Sequence, residues 1–366
     1  MASDKKSNKA ESKEKTVEKT VEKTEEKTVE KTVDKIYIGV DFGTSKIAMT
    51  TSNGKSILEQ NVVGYPKDAI SSKFLKKEVL YGSEALKHRV ALNIHRPIEC
   101  GVLKTNKEDI AAAKGLLEYC LENLNLPEKA ETYAILGVPA KASVLSKKIL
   151  TEITKDFFTG VMVASDPFCV AYELGLLENV MIVDIGAGTT DLCRVRGTLP
   201  EPEDMTSFGK AGDYIDDALI KSITSDYTNA MVTKEMAKRW KEEFGFVGEP
   251  EKDCEVDVPV DSSTIRLSIV QEMKDACESI IPPIIEGITS LIATYDPDFR
   301  DELRDNIIIS GGGSNIKNID EYIENELSIV GGGKVSVIKV DPFTAGSKGA
   351  LKLAMDMPED YWKKLI

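Results

Sequence analysis

The sequence predicts an α/β protein made of two similar lobes. Apolar strand-like runs alternate with amphipathic helical stretches, the pattern of an α/β fold. Two of the strands end in nearly the same short turn, and the aspartates that open these turns, Asp41 and Asp184, lie 143 positions apart. That separation is too long for a solenoid repeat and suggests a duplicated lobe. At 366 residues the chain also exceeds the size that a single hydrophobic core serves.

Individual strands and helices are predicted from the period of their apolar residues. The expected strands cover residues 36–40, 133–138, 180–183 and 306–309, and the expected helices cover 107–124 and 233–244. Pro282 and Pro283 interrupt an apolar helical pattern and should start a new helix, because proline is tolerated in a first turn and not in a helix interior. No apolar run is expected to approach the ~18 residues that cross a bilayer.

Residues 1–35 are predicted to be a disordered tail, followed by lobes at 36–178 and 179–366 whose C-terminal helix can return to the first lobe. The tail holds ten Lys and nine acidic residues in a repeat close to Thr-Val-Glu-Lys. This repeat puts glutamates at i,i+4, where like charges destabilise a helix. A partner-binding arm or a transient helix is the alternative.

Charge and composition exclude several classes of function. The net charge of −14 repels phosphate backbones and anionic lipids, so we expect neither nucleic-acid binding nor membrane insertion. Six cysteines without a C-x-x-C pair indicate reduced cytosolic thiols. Because the chain has only two histidines, expected at the surface, it offers neither a histidine-based triad nor a multi-histidine metal site.

The first turn, Gly43 to Lys46, has the composition of a phosphate-binding turn. Gly43 allows close approach of the backbone, Thr44 and Ser45 supply hydroxyl and N–H donors, and Lys46 supplies a cation for β- and γ-phosphates. Asp41 precedes it as a carboxylate for hydrated Mg²⁺. Alone, an Asp-x-Gly-Thr sequence is also a good hairpin turn.

The second and third turns strengthen the same interpretation. In the second, Gly186, Ala187 and Gly188 leave almost no side chain in the way of a phosphate, and Asp184 and Asp191 remain for the metal. The third, residues 311–315, follows an apolar strand and precedes a predicted helix. It fits neither a Walker A loop nor the Rossmann fingerprint. A glycine run that packs a helix close to a sheet is the alternative for this turn.

Two Asp-x-Gly turns and a Ser-Gly-Gly-Gly turn together resemble the actin/Hsp70/sugar-kinase superfamily. The resemblance implies an actin-like, duplicated ribonuclease H-like fold with ATP or ADP and Mg²⁺ in the central cleft. It implies that Asp41 and Asp184 hold the metal largely through water and that Asp184 is catalytic. The positions it assigns to the nucleotide are Gly43, Thr44, Ser45, Lys46, Gly186, Ala187, Gly188, Thr189, Gly212, Lys241, Glu242, Gly312, Gly313 and Ser314. For Lys241 and Glu242, a solvated helix face is the alternative.

A closer resemblance, over residues 36–366, is to the MamK-like family of bacterial actins. It rests on residues 62–68, 137–140, 183–191, 197–204, 244–248 and 361–362, several of them outside the nucleotide site. It implies a cytoplasmic ATPase that assembles with itself into filaments, turns over by hydrolysis, and organises magnetosomes into a chain with magnetosome-associated proteins. The longer tail departs from the family.

Asp166 is the expected catalytic residue that orients the attacking water, because Asp166-Pro167 stands where this resemblance implies Glu-Pro. Asp is one methylene shorter than Glu, and a misplacement of about 1 Å can cost ~100-fold in rate, so we expect slow turnover. Alternatively, Asp166 is the N-cap of a helix at 168–176. Another bacterial actin, either a plasmid-segregating or an MreB-like filament, and a small-molecule kinase of the same fold remain as alternative functions.

Overall fold

The computed structural model describes residues 34–363, of which Lys35 onward belongs to one compact unit. The predicted tail therefore lies outside the described residues except at its end, where Lys35 already opens the first strand. The strands are β1 Lys35–Phe42, β2 Lys46–Thr51, β3 Ser56–Gln60, β4 Val63–Pro66, β5 Leu80–Tyr81, β6 Leu92–His95, β7 Ile98–Glu99, β8 Val102–Leu103, β9 Glu131–Val138, β10 Gly160–Ser165, β11 Val180–Ile185, β12 Thr190–Val195, β13 Met205–Phe208, β14 Glu255–Val260, β15 Ser263–Ser268, β16 Ile307–Ser310 and β17 Val335–Val337.

Helices surround these strands, and their starts follow from capping residues. Asn106, Ser143 and Thr233 each accept a backbone N–H at the N-terminus of a helix, which satisfies a donor that the helix leaves free. The helices are α1 Ala69–Leu75, α2 Gly82–Lys87, α3 Lys107–Leu124, α4 Val144–Thr154, α5 Asp166–Leu174, α6 Gly212–Asp226, α7 Lys234–Phe244, α8 Val270–Glu278, α9 Ile281–Ala293, α10 Arg300–Arg304, α11 Ile319–Val330, α12 Ala345–Asp356 and α13 Glu359–Lys363.

Two five-stranded sheets have the same topology. The first runs β10-β9-β1-β2-β3 and the second, read from its other edge, runs β17-β16-β11-β12-β13. In both, the central strand pairs antiparallel with the next strand in the chain and parallel with a later one. The two central hairpins close alike, with Phe42 opposite Ile47 and Ile185 opposite Thr190. The predicted duplication of the α/β fold is confirmed.

Helices α5 and α12 lie between the two sheets, where α12 packs on the first sheet and α5 packs on both. A shared core joins Ile135 of the first sheet and Ile182 of the second to Val170 of α5 and Ala350 of α12. The packing is close, since a Cβ on Gly39 of β1 would overlap the backbone of α12. Larger separate cores cover the outer faces of the sheets, with Leu116 of α3 in one and Ile288 of α9 in the other.

The expectation that no apolar run approaches membrane length is wrong by length and composition. Within the described residues, Val270–Ala293 is long and apolar enough to cross a membrane. Its most apolar 18-residue stretch has a mean hydropathy of 1.3, and half of that stretch is buried. In the structure this stretch divides into α8 and α9, and Met273 and Ile284 lie in the core beside the second sheet. As predicted, Pro282 and Pro283 lie in the first turn of α9.

Candidate functional site

A cavity of about 580 Å³ lies where the three glycine-rich turns meet. The turns after β1, β11 and β16 line it, together with the starts of α5 and α6 and one face of α7. β11 pairs in parallel with β16, with Asp184 opposite Ser310, so their following turns leave the second sheet side by side. The duplicated topology places the turn after β1 at the corresponding edge of the first sheet.

The two hairpin turns contact each other directly. A Cβ added to Gly188 would lie 2.9 Å from the Cα of Cys100 and would overlap the Thr44 hydroxyl, so only glycine fits there. The Thr44 hydroxyl is fixed by the backbone N–H of Gly101, which donates a hydrogen bond to it at 2.9 Å. Gly186 donates its N–H to the Thr189 carbonyl at 2.9 Å, which closes the second turn. Backbone and hydroxyl groups of both turns therefore face one space.

The carboxylates that line this cavity include four at or near the turns: Asp41, Asp166, Asp184 and Asp191. Burial raises the pKa of Asp41 to about 6 and, with added repulsion from Asp191 and Asp41, the pKa of Asp184 to about 8. Burial and the charges of the other three also raise the pKa of Asp166 well above its usual value. The site therefore favours a ligand that brings positive charge to these carboxylates.

Glycines leave the space that three of these carboxylates occupy. A Cβ on Gly137 would overlap the Oδ1 atom of Asp166, one on Gly311 would overlap Asp184, and one on Gly346 would lie 3.0 Å from Asp41. Gly311 also has φ of 73°, in the left-handed region. Asp191 is instead held by a donor, because its Oδ1 accepts the Ala140 N–H at 2.8 Å.

Asp166 is not a helix N-cap. Ser165 occupies that position, and Asp166 is the first residue of α5, two residues earlier than predicted, with Pro167 in the first turn. Its Oδ1 atom is buried and has no hydrogen-bond partner in the described part of the chain. A buried carboxylate oxygen without a donor is costly, so this oxygen is suited to accept a hydrogen bond from a ligand or a water molecule.

The carboxylates suit magnesium only in a hydrated form. Among the described residues, no group of three His, Cys, Asp or Glu side chains is placed to hold a metal ion directly. Mg²⁺ usually keeps several waters and is bound through one or two carboxylates and the phosphates of its nucleotide. The turns at residues 43–46 and 186–189 are called the phosphate-type turns below. Asp41 and Asp184, next to these two turns, fit that arrangement.

Comparison with known proteins identifies the family. The sequence profile of the MreB/Mbl protein family matches residues 35–359. The chain belongs to the MreB/Mbl family. The actin-like protein MamK of Paramagnetospirillum magneticum is 37% identical over 331 residues, 90% of this chain and 95% of that protein. A MamK double helical filament structure matches with a TM-score of 0.86, at 37% identity over 89% of this chain and all of that one. A non-polymerising MamK mutant bound to AMPPNP matches with a TM-score of 0.68, at 37% identity over 88% of this chain and all of that one.

These comparisons confirm the predicted resemblance and the actin-like fold. The structure brings nearly all of the predicted site residues together around the cavity. Those that line the cavity are Gly43, Thr44, Ser45, Lys46, Gly186, Ala187, Gly188, Thr189, Gly212, Lys241, Glu242, Gly312 and Gly313, with Asp41, Asp166 and Asp184. Ser314 is not among the lining residues. It is buried, and its hydroxyl donates to the Gly311 carbonyl at 2.7 Å, which closes the third turn.

Lys241 is held from two sides at the start of α6. Its ammonium group donates to the Gly212 carbonyl at 2.6 Å and pairs with Asp216 at 2.7 Å. Burial raises the pKa of Asp216 to about 6 although Lys241 opposes the shift. Glu242, with its side chain 58% exposed, lies at the rim. The predicted face of α7 therefore reaches the cavity, and Lys241 fixes its position against α6.

Several lining residues were missed by sequence reasoning. Asp213 and Asp216 follow Gly212 in α6 and could have been found from their acidic i,i+3 spacing. Lys238 lies one turn before Lys241 and Glu242 and could have been found from helix periodicity. Phe343, whose ring lies 3.4 Å from the Lys46 ammonium, gives no local signal because its contact spans most of the chain.

Proposed function

We propose that this chain is a cytoplasmic ATPase that assembles into actin-like filaments and organises magnetosomes into a chain. The observation that carries the proposal is the convergence of three glycine-rich turns and the carboxylates of Asp41, Asp166, Asp184 and Asp191 on one cavity. The likeness to MamK in its filament form, at a TM-score of 0.86, supports assembly with copies of itself. Magnetosome-associated proteins are the further partners that likeness to MamK suggests.

In this proposal the nucleotide lies between lobes made of residues 36–178 and 179–366, with α12 packed on the first sheet. Backbone N–H groups and hydroxyls of Thr44, Ser45 and Thr189 hold the phosphates, and the glycines around them allow close approach. Gly312 and Gly313 face the adenosine. Lys46 adds a positive charge, while Lys241 and Glu242 bound the nucleoside end of the cavity.

Asp41 and Asp184 hold hydrated magnesium, which when bound offsets phosphate charge during transfer. Asp166 orients the attacking water through its buried Oδ1 atom, which accepts no hydrogen bond from the described residues. Because an aspartate reaches less far than a glutamate, turnover is slow relative to a site that carries glutamate.

Titration with MgATP tests nucleotide binding, and sedimentation with electron microscopy tests assembly. We expect ATP to raise the melting temperature and to produce pelletable filaments, which persist with a non-hydrolysable analogue. Asp184→Ala should weaken assembly and abolish hydrolysis, whereas Asp226→Ala, at an exposed carboxylate ending α6, should change neither. ADP formation that requires an added small acceptor, with the phosphoryl group transferred to that acceptor, would contradict the filament proposal and favour a kinase.

A further inference from the structure

Lys238 connects the two sides of the cavity. It lies on α7, beside the second sheet, and its ammonium group donates to the Ser45 hydroxyl at 2.7 Å, in the turn after β1. The same helix makes a second link one turn earlier, where Glu235 pairs with Arg96 at 3.3 Å. Helix α7 is therefore tied to the first half of the molecule at two points, one of them inside the phosphate-type turn.

The positive charge of Lys238 is poorly compensated. Its only ion pair among the described residues is with Glu242, at 4.0 Å, and that carboxylate is mostly exposed. Burial lowers the pKa of Lys238, which shows that its surroundings disfavour the charged form. A cation in this position gains from a ligand that brings negative charge.

Lys46 makes the imbalance larger. Burial and then the charge of Lys238 lower the pKa of Lys46, and its ammonium lies against the Phe343 ring with no ion pair in the described part of the chain. The two lysines thus stand on opposite elements, β2 and α7, at the same cavity. An anion between them would be attracted from both sides.

We propose that Lys238 is a positioning residue that binds the polyphosphate of a nucleoside triphosphate from α7. The inference rests on the proposed nucleotide function and adds a residue and a selectivity to it. A polyphosphate reaches the turn at Ser45 and carries several charges, whereas a monophosphate supplies fewer. Lys238 should therefore favour ATP over AMP.

The test compares MgATP, MgADP and AMP binding to Lys238→Gln, Lys238→Arg and Lys234→Gln. Lys234 lies on the same helix and does not line the cavity, so its variant is the matched control for loss of one positive charge. Binding can be followed by calorimetry and by fluorescence of Trp240, also on α7. We expect Lys238→Gln to weaken MgATP about tenfold or more, the usual worth of a hydrogen bond to a charged group, and AMP less than twofold.

Lys238→Arg should keep most of the MgATP affinity that Lys238→Gln loses, because arginine keeps the positive charge. If Lys238 only linked α7 to Ser45, that charge would not be needed. A double-mutant cycle with Ser45→Ala should show coupling that grows when MgATP is bound. If Lys238→Gln keeps the ATP affinity and the ATP-to-AMP ratio of the Lys234→Gln control, the inference is wrong while the proposed function stands. If the unmodified protein binds no MgATP, both are wrong.

Discussion

Replacing Gly137 with alanine tests whether β9 sets the position of the Asp166 carboxylate. The added methyl group would lie well inside 3.0 Å of Asp166 Oδ1 and 3.5 Å from the Val40 carbonyl. Asp166 begins α5, and the next residues, Pro167 and Phe168, are buried. The carboxylate can therefore retreat only by rotating away from its place or by moving the start of the helix.

The cost of this change follows from overpacking. Forcing a methyl group into a packed site costs about 1–3 kcal/mol, and replacing glycine in a strand returns about 0.5–1 kcal/mol. We expect a net loss of up to about 2.5 kcal/mol in the free energy of unfolding and a fall in melting temperature of up to about 4 °C. If the carboxylate moves by about 1 Å, ATP turnover should fall by about 100-fold while MgATP binding changes little.

Urea denaturation and phosphate release of four proteins measure the effect: the unmodified chain, Gly137→Ala, Asp166→Ala and the double variant. Because the clash is with the Asp166 side chain, the alanine at 137 should cost nothing in the Asp166→Ala background. Asp166→Ala alone should be as stable as the unmodified chain or more stable, since it removes a buried oxygen without a partner. An equal penalty for Gly137→Ala in both backgrounds, or full turnover in that variant, would refute the reasoning.

Three further predictions concern packing and charge. Gly349→Ala should lower the free energy of unfolding, measured by urea denaturation, by about 3 kcal/mol or more, because its Cβ would overlap the Cys169 carbonyl. Gly209→Ala, with open space around it, should be neutral. Equal effects of the two changes would contradict this packing. Asp204→Ala should lower the free energy of unfolding by about 3–5 kcal/mol, because it removes the carboxylate that pairs with the buried Arg194 guanidinium at 2.9 Å. A loss of under about 1 kcal/mol would show that this ion pair is dispensable. Burial raises the pKa of Asp184 to about 8, so the folded state binds more protons than the unfolded state and the nucleotide-free protein should lose stability as pH rises from about 4 to 8. Asp184→Asn should reduce that slope, by at most about 1.4 kcal/mol per pH unit, and an unchanged slope between pH 6 and pH 8 would argue against the raised pKa.

The sequence was sufficient to predict the parts of the fold that depend on local chemistry. Strand β1 and the turn after it follow from a β-rich run ended by Asp-x-Gly, and α3 was predicted with the bounds it has, because Asn106 caps it and its apolar face repeats every turn. The start of α5 was misplaced because serine, aspartate and proline in succession fit the first positions of a helix in more than one register. Local propensity cannot choose between registers that differ by one or two residues.

Contacts between distant parts of the chain could not be predicted in this way. Gly137 matters because parallel pairing of β9 with β10 sets Ala164, two residues before Asp166, opposite it. No spacing within either segment indicates that pairing. The Asp191 contact with the Ala140 N–H also depends on how the two sheets face each other. Site residues at the ends of strands were therefore predictable, and the residues that fix their positions were not.

The two sides of the molecule are held together by different forces, and the difference indicates where the lobes can separate. Between the sheets, α5 and α12 pack with glycines at contacts too close for any other residue, so sliding there would open voids or cause overlap. Around the cavity, apart from the close contact of Gly188 with the first turn, the links are polar: Lys238 to Ser45, Ala140 to Asp191 and Arg96 to Glu235. Water can replace polar partners at a net cost of about 1 kcal/mol per hydrogen bond, whereas lost packing has no such substitute. The cavity side should therefore open first, and a ligand that satisfies both phosphate-type turns and Lys238 would oppose that opening from both lobes.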